Sequence, residues 1–268
     1  MLDLQQIPIG APAPDAQRNY PLQIFTLGRF SVARGVEPIR FIRKAQHRPL
    51  QLLKALIALG GREVGSDRLG MALWPESEGD TAYNAFEITL HRLRKLISIE
   101  NTLVLSNGLL TLDNRYCWVD VWAFEQAASQ AETLLRSPRP NPDELANISS
   151  RVVTLYHGHF LGRETPEPWS ISLRERLRSK FLRHLLDVAR HWEKIGQHEA
   201  AIQCYQKGLE TDDLAEIFYQ RLMVCYQQLG RKSEALSVYR RCRTTLSLIL
   251  SITPSSATET IRRRLTEV

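Results

Sequence analysis

No stretch of this sequence reaches the roughly 18 uncharged apolar residues that a membrane span requires. The strongest candidate, Pro49–Leu59, is short and interrupted by Lys54. No basic segment followed by an apolar core stands at the N-terminus, so no secretion signal is visible and a cytoplasmic location is expected. Cysteine is scarce: Cys117, Cys204, Cys225 and Cys242 lie far apart and form no C-x-x-C pair. Zinc and dithiol redox motifs are therefore unsupported, and buried, reduced thiols are expected. Phosphate-cradling G-x-x-x-x-G-K-[ST] loops are missing, as are H-E-x-x-H and G-x-S-x-G. His157 and His159 flank Gly158 without a nearby third ligand and read as loop residues rather than a metal site. Glu164, Glu167 and the scattered aspartates show no paired-carboxylate pattern. These absences predict a protein that is not an enzyme and needs no cofactor or metal.

What is present is material for two domains: 268 residues, 43% of them hydrophobic. The net charge is +6, which permits a polyanionic partner without demanding one. Pro21–Val119 holds 13 Lys/Arg against 9 Asp/Glu, and Asp120–Val268 holds 21 against 18. With so even a spread, the placement of individual charges has to decide.

Residues 1–20 contain Pro8, Pro12 and Pro14 without apolar periodicity and read as a flexible leader or linker, compatible with a longer natural chain. From Pro21, three β-leaning runs (22–27, 30–33 and 39–42) are separated by Gly28-Arg29 and Arg34-Gly35, predicting a small antiparallel meander. Gln46–Leu59 reads as a helix stopped by Gly60-Gly61, with Leu50, Leu53 and Ile57 on its stripe. Ser66 is placed to cap a short helix through Trp74, which Pro75 ends. After Ile99 the period falls to two. Leu103–Leu105 and Leu109–Leu112 flank Asn107-Gly108, the residue pair that tolerates the positive φ angles of a type I′ hairpin turn.

Between that short helix and the hairpin lies Asp80–Ile97. At 3.6 residues per turn, Ala82, Phe86, Leu90, Leu93 and Ile97 share one face, with Asp80 as the expected N-cap. Asn84, Ile88, His91 and Lys95 lie opposite, with Arg92 and Arg94 on the flanks. A third helix followed directly by a hairpin is a winged helix-turn-helix order, in which that helix enters the major groove.

Beyond Asp120 the pattern is helical. Breaks fall at Ser137–Pro142 and in a loop at Phe160–Trp169, and long helices are expected from Ser172 onward. Ile195-Gly196-Gln197-His198-Glu199-Ala200-Ala201-Ile202 with Tyr205 recurs as Leu229-Gly230-Arg231-Lys232-Ser233-Glu234-Ala235-Leu236 with Tyr239. The offset, 230 − 196 = 34, matches tetratricopeptide helix pairs. The expected fold is mainly α with small β: an OmpR-like winged helix-turn-helix in 21–119, then a helical tetratricopeptide-like repeat domain in 120–268.

Ala72-Leu73-Trp74-Pro75-Glu76, Asn84 and Leu90-His91-Arg92-Leu93-Arg94-Lys95-Leu96 resemble the OmpR-type winged helix of SARP-type bacterial transcriptional activators. Tyr156-His157-Gly158-His159-Phe160-Leu161, Trp169, Arg174-Glu175-Arg176-Leu177 and the two repeats are similar to that family's bacterial transcriptional activator domain. The resemblance implies a sequence-specific activator bound to double-stranded DNA at direct-repeat promoter sites, as a dimer. It would set Asn84, Ile88, His91 and Lys95 against base edges or sugar, and Arg92 and Arg94 at phosphates or groove walls. Trp74, Glu76 and Glu78 would belong to the loop that contacts RNA polymerase, through its sigma or alpha subunit. In some relatives this module is the output end of a longer chain with an upstream sensor or ATPase. One departure is visible: the wing carries Asn107-Gly108-Leu109-Leu110 where relatives have a glycine-rich, arginine-bearing tip, which leaves Arg115 as the nearest cation. The competing reading is a helical-repeat adaptor whose winged domain mediates protein contacts.

Overall fold

The computed structural model describes residues 20–35, 37–39, 46–77 and 79–267. The expected leader, residues 40–42 of the third β-leaning run, and Glu78 lie outside the described residues. By internal contacts the chain forms two compact units. One comprises Met1–Phe124 with His157–Glu175, the other Glu125–Tyr156 with Arg176–Val268.

In the first unit, β1 (Leu22–Phe25) pairs antiparallel with β2 (Ser31–Arg34), and β2 with β3 (Glu37–Pro38). The third strand thus precedes the expected 39–42 run. Pro38 lacks an amide hydrogen at a position that does not use one, and Ile39 N–H continues the register to the Val32 carbonyl at 2.8 Å. A fourth strand, β7 (Cys117–Val119), lies parallel to β1 in register Leu22↔Cys117. A parallel pair needs a long crossover. Here the crossover contains α1 (His47–Ala58), β4 (Val64–Gly65), α2 (Ser66–Leu73), α3 (Gly79–Ile97), β5 (Leu103–Ser106) and β6 (Leu109–Leu112).

Every residue of α1 from Gln51 to Ile57 is buried, whereas Leu50, expected on its stripe, is only half-buried. A helix enclosed on all sides has no polar face, and Lys54 is buried with the rest. Its ammonium donates to both oxygens of Glu164 at 2.6 and 2.7 Å and lies 4.3 Å from the centre of the Phe30 ring. Glu164 belongs to the 157–175 segment, which docks on the strand end through Gly28 N–H to His159 O (2.9 Å) and Leu161 N–H to Thr26 O (2.7 Å). Arg174 holds the carbonyls of Phe160 and Leu161 at 3.0 and 2.8 Å.

Two expected caps are displaced. Gly65, not Ser66, precedes α2 and makes no side-chain cap. Ser66 is buried as the first helical residue and gives its N–H to Gly108 O at 2.8 Å, because the β4–β6 pairing fixes the chain just before the helix. Likewise α3 begins at Gly79, so Asp80 sits within the first turn, where it complements the helix dipole.

The second unit takes α4 (Asp120–Leu135) from Glu125 and α6 (Pro168–Lys194) from Arg176, with α5 (Pro142–Leu155) between them. It continues through α7 (His198–Thr211), α8 (Glu216–Gln228), α9 (Lys232–Leu250) and α10 (Ser256–Thr266). Helix α6 starts four residues before the expected Ser172. Pro168 stands at its first position, where a missing amide hydrogen costs nothing. The repeat offset recurs in the hydrogen bonds. Gly196 N–H bonds to Glu193 O and Gln197 N–H to Trp192 O, at 3.0 and 2.8 Å. Gly230 to Gln227 and Arg231 to Tyr226 repeat both distances. The two glycines turn at φ 77° and 71°, a region that penalises side chains. Ala201 and Ala235 are fully buried, Tyr205 and Tyr239 fill the same groove in each copy, and a methyl group on Gly208 would strike the Phe218 ring. All four cysteines are free, and burial pushes Cys117, Cys204 and Cys242 up to about 12.

Two stability measurements follow. Lys54 is more deeply buried than Glu164 (8% against 31% of the side chain exposed), so Glu164→Leu strands a buried cation while Lys54→Met leaves a carboxylate that can reach water. In urea unfolding, Glu164→Leu is expected to cost about 3 kcal/mol and Lys54→Met about 1 kcal/mol, with the double variant recovering part of the difference. Second, burial lowers His184 from 6.5 to about 4, and its Nε2 has no partner among the described residues. The unfolded chain therefore binds a proton below about pH 6.5 that the folded chain refuses until about pH 4. Stability is full above that window and lost as pH falls through it, by up to roughly 3 kcal/mol. His184→Gln should remove this part of the pH slope.

Candidate nucleic-acid interface

Helix α3 is amphipathic because its apolar residues recur at the helical period. Phe86, Leu90, Leu93 and Ile97 are at most 3% exposed, packed against α1 and α2. Fully burying a phenylalanine such as Phe86 contributes about 2 kcal/mol, so this face fixes the helix's rotation about its own axis. The opposite face is thereby committed to solvent: Asn84, Ile88, His91, Arg92 and Lys95 are all exposed, Ile88 by 54%. The side chains of Asn84, His91, Arg92 and Lys95 make no hydrogen bond or ion pair among the described residues. Ser98, at φ 54°, ends the helix, its N–H on Arg94 O (2.9 Å) and its hydroxyl on Lys95 O (2.6 Å).

The wing is a two-residue hairpin. Ser106 pairs with Leu109, and Asn107 and Gly108 turn at φ 50° and 74°, as a type I′ turn requires. The sheet has a third strand that sequence reading missed: β4 pairs with β6, giving the order β4-β6-β5. Two residues are too few for any periodic signal. Leu110 and Leu112 are fully buried beneath it, while Val104 and Leu109 are each 40% exposed, so the wing's outer surface is uncharged.

Two of the expected DNA-facing arginines are turned to partners within the protein. Arg115 donates from Nε and Nη2 to the Asp113 carboxylate, the shortest contact being 2.6 Å. That pairing holds the Asp113 carboxyl below its usual range and raises Arg115. Arg94 donates from Nε (3.2 Å) and Nη2 (3.0 Å) to the Leu103 carbonyl at the base of β5. A third arginine, which sequence reading did not single out, acts on the same helix end: Arg34 Nη2 donates to Ile97 O at 2.8 Å across 63 residues of sequence. Such a separation leaves no local signal. On the other flank of α3, the Tyr83 hydroxyl donates to Glu87 (3.0 Å), which raises the tyrosine.

In the loop after α2, Trp74 is half-buried and gives its N–H to Gly70 O at 2.8 Å, while Ser77 N–H returns to Trp74 O at 3.1 Å. Glu76 is exposed; Glu78 lies outside the described residues. Among the described residues, no group of three His, Cys, Asp or Glu side chains is placed to hold a metal ion, and His157 and His159 stay in the docked segment.

A family model described as bacterial transcriptional activator domain matches residues 119–266. The chain is similar to Regulatory protein AfsR of Streptomyces griseus and of Streptomyces coelicolor, at 26% identity over 219 residues in each case. These matches cover 80% of this chain but only 22% and 21% of the relatives, so it spans about a fifth of their length. Among solved structures, Mycobacterium tuberculosis EmbR in complex with a low affinity phosphopeptide has a TM-score of 0.67 at 21% identity. It covers 92% of this chain and 65% of that chain, a likeness of fold: a winged N-terminal region followed by a tetratricopeptide-like helical region.

The wing turn offers a direct check on this geometry. Gly108→Ala places a side chain at φ 74° and should destabilise the hairpin by about 1 kcal/mol, read as faster amide exchange in β5 and β6 with α7–α9 unaffected.

Proposed function

The chain belongs to the bacterial transcriptional activator domain family, as a SARP-type regulator of transcription, and on that premise we propose that it binds specific double-stranded DNA through α3 and activates transcription there. The observation that carries this reading is the solvent-facing stripe Asn84, Ile88, His91 and Lys95, flanked by Arg92, on a helix whose rotation is fixed by a buried opposite face. Asn84 has the donor and acceptor that pair with adenine, Ile88 can pack on a thymine methyl, and His91 completes the base-facing row. Lys95 extends that row toward base edges or sugar, and Arg92 supplies charge for phosphates, which sets register rather than sequence. The uncharged wing lies over the flanking backbone.

The half-buried Trp74 and exposed Glu76, with Glu78, are the surface we assign to RNA polymerase, at a basic region of its sigma or alpha subunit. Functionally the division is 21–119 for DNA reading and 120–268 for the regulatory repeats. Two protomers would occupy a direct-repeat site side by side. A sensor or ATPase module would be a further partner of this chain. No described helix is long and apolar enough to cross a membrane, and we place the protein in the cytoplasm, where its DNA is.

A salt titration of binding to promoter DNA tests this. Affinity should fall steeply with salt through counterion release, with Arg92→Ala reducing the slope of log K against log salt by about 0.9. Asn84→Ala should leave that slope alone and change base preference at one position by about 1–3 kcal/mol. Binding that is flat with salt, or absent at low salt, would sink the reading in favour of a protein-contact adaptor.

A further inference from the structure

The cationic end of α3 contains two kinds of arginine. The Arg92 side chain makes no hydrogen bond or ion pair among the described residues, whereas Arg94 donates to a backbone carbonyl. That carbonyl has a definite origin. In the β5–β6 hairpin the pairs Ser106↔Leu109 and Val104↔Thr111 exchange hydrogen bonds, so Leu103 and Leu105, in the alternating positions, point their backbone groups away from β6. Because β5 is the edge strand, the Leu103 carbonyl has no strand to accept from. Arg94 fills that vacancy with two N–H groups of one guanidinium. Three residues on, Arg34 reaches from the end of β2 to the carbonyl of Ile97, one of the last α3 carbonyls left without an intrahelical donor.

We propose that Arg94 and Arg34 are positioning residues: together they fix the wing and the N-terminal sheet to the C-terminal end of α3, and Arg94 is not a phosphate contact. Each grips an acceptor that the secondary structure itself leaves open, and both act at the last turn of α3, whose outer face is exposed. The angle between wing and helix is thus held by side chains outside the hydrophobic core as well as by the core itself. Leu103 is buried at the base of the hairpin, but the edge beyond it is 40% exposed at Val104 and half-buried at Leu105, and Arg94 ties that base to α3 by a polar contact. The functional part of this inference rests on the DNA-binding reading above; its structural part does not.

Three substitutions separate a clamp from a phosphate contact. Arg94→Ala should weaken DNA binding roughly three- to tenfold with the salt slope unchanged, because no counterion-displacing contact is lost. Arg94→Lys should fail to restore affinity, since an ammonium is a point charge and cannot present two donors in a fixed fork. Arg34→Ala should reproduce the Arg94→Ala phenotype. A slope reduced by about 0.9 in Arg94→Ala, or full rescue by lysine, would make Arg94 a phosphate ligand and overturn the inference while leaving the DNA-binding reading intact. Should the parent protein show no salt-dependent binding, amide exchange on the full chain without DNA still decides. Faster exchange in β5 and the last turn of α3, in Arg94→Ala and Arg34→Ala alike, supports the clamp, and unchanged exchange refutes it.

Discussion

The first unit depends on one buried carboxylate. Asp120, at the start of α4, accepts hydrogen bonds from Thr26 N–H, Thr26 Oγ1, Leu27 N–H and its own neighbour Val121 N–H, at 2.6–2.8 Å. Burial pushes this carboxyl up, while the four donors favour its charged form. Ninety-four residues separate Asp120 from Thr26, and in that interval lie α3 and the wing. Closing so long an excursion on a parallel strand pair demands a strong anchor where the ends meet. A fully satisfied carboxylate capping α4 meets that need, because no water remains to compete for its acceptors.

Around this anchor the 157–175 segment completes the unit. Leu27 bridges to Phe160, the Leu161 amide reaches Thr26, and Glu164 closes on Lys54 inside α1. The winged unit is therefore discontinuous in sequence. Its core helix α1 carries a buried charge whose counterion arrives 110 residues later. Lys54 read on its own as an interruption in an apolar run; its role is to tie that run to a later part of the chain.

Much of the architecture was legible because it is written at short range. The stripe Ala82–Ile97, the Asn107-Gly108 turn and the offset between Gly196 and Gly230 each depend on periodicity or on φ preferences within a few residues, and each appears as expected. The departures share a cause. The cap at Ser66 gave way to Gly65 because β4 pairs with the wing just ahead of α2. The third strand pairs with β2 from Glu37, two residues ahead of the expected start, and Ile39 continues the register on Val32. In both, pairing with another strand overrode a local signal.

The same division runs through the candidate interface. By itself the sequence determined which residues α3 shows to solvent, since a helix with five apolar residues on one face has only one way to bury them. Which partners its cations meet was decided by the tertiary structure. Arg92 and Arg94 are near neighbours of identical chemistry on one helix, yet Arg94 meets an edge-strand carbonyl that exists only once the hairpin has folded beside it. Arg34 became part of that helix end by the same route, and Arg115 pairs with Asp113 in the turn that ends the wing. Periodicity assigns faces; the partners of long, charged side chains are assigned by whichever acceptors folding leaves open within their reach.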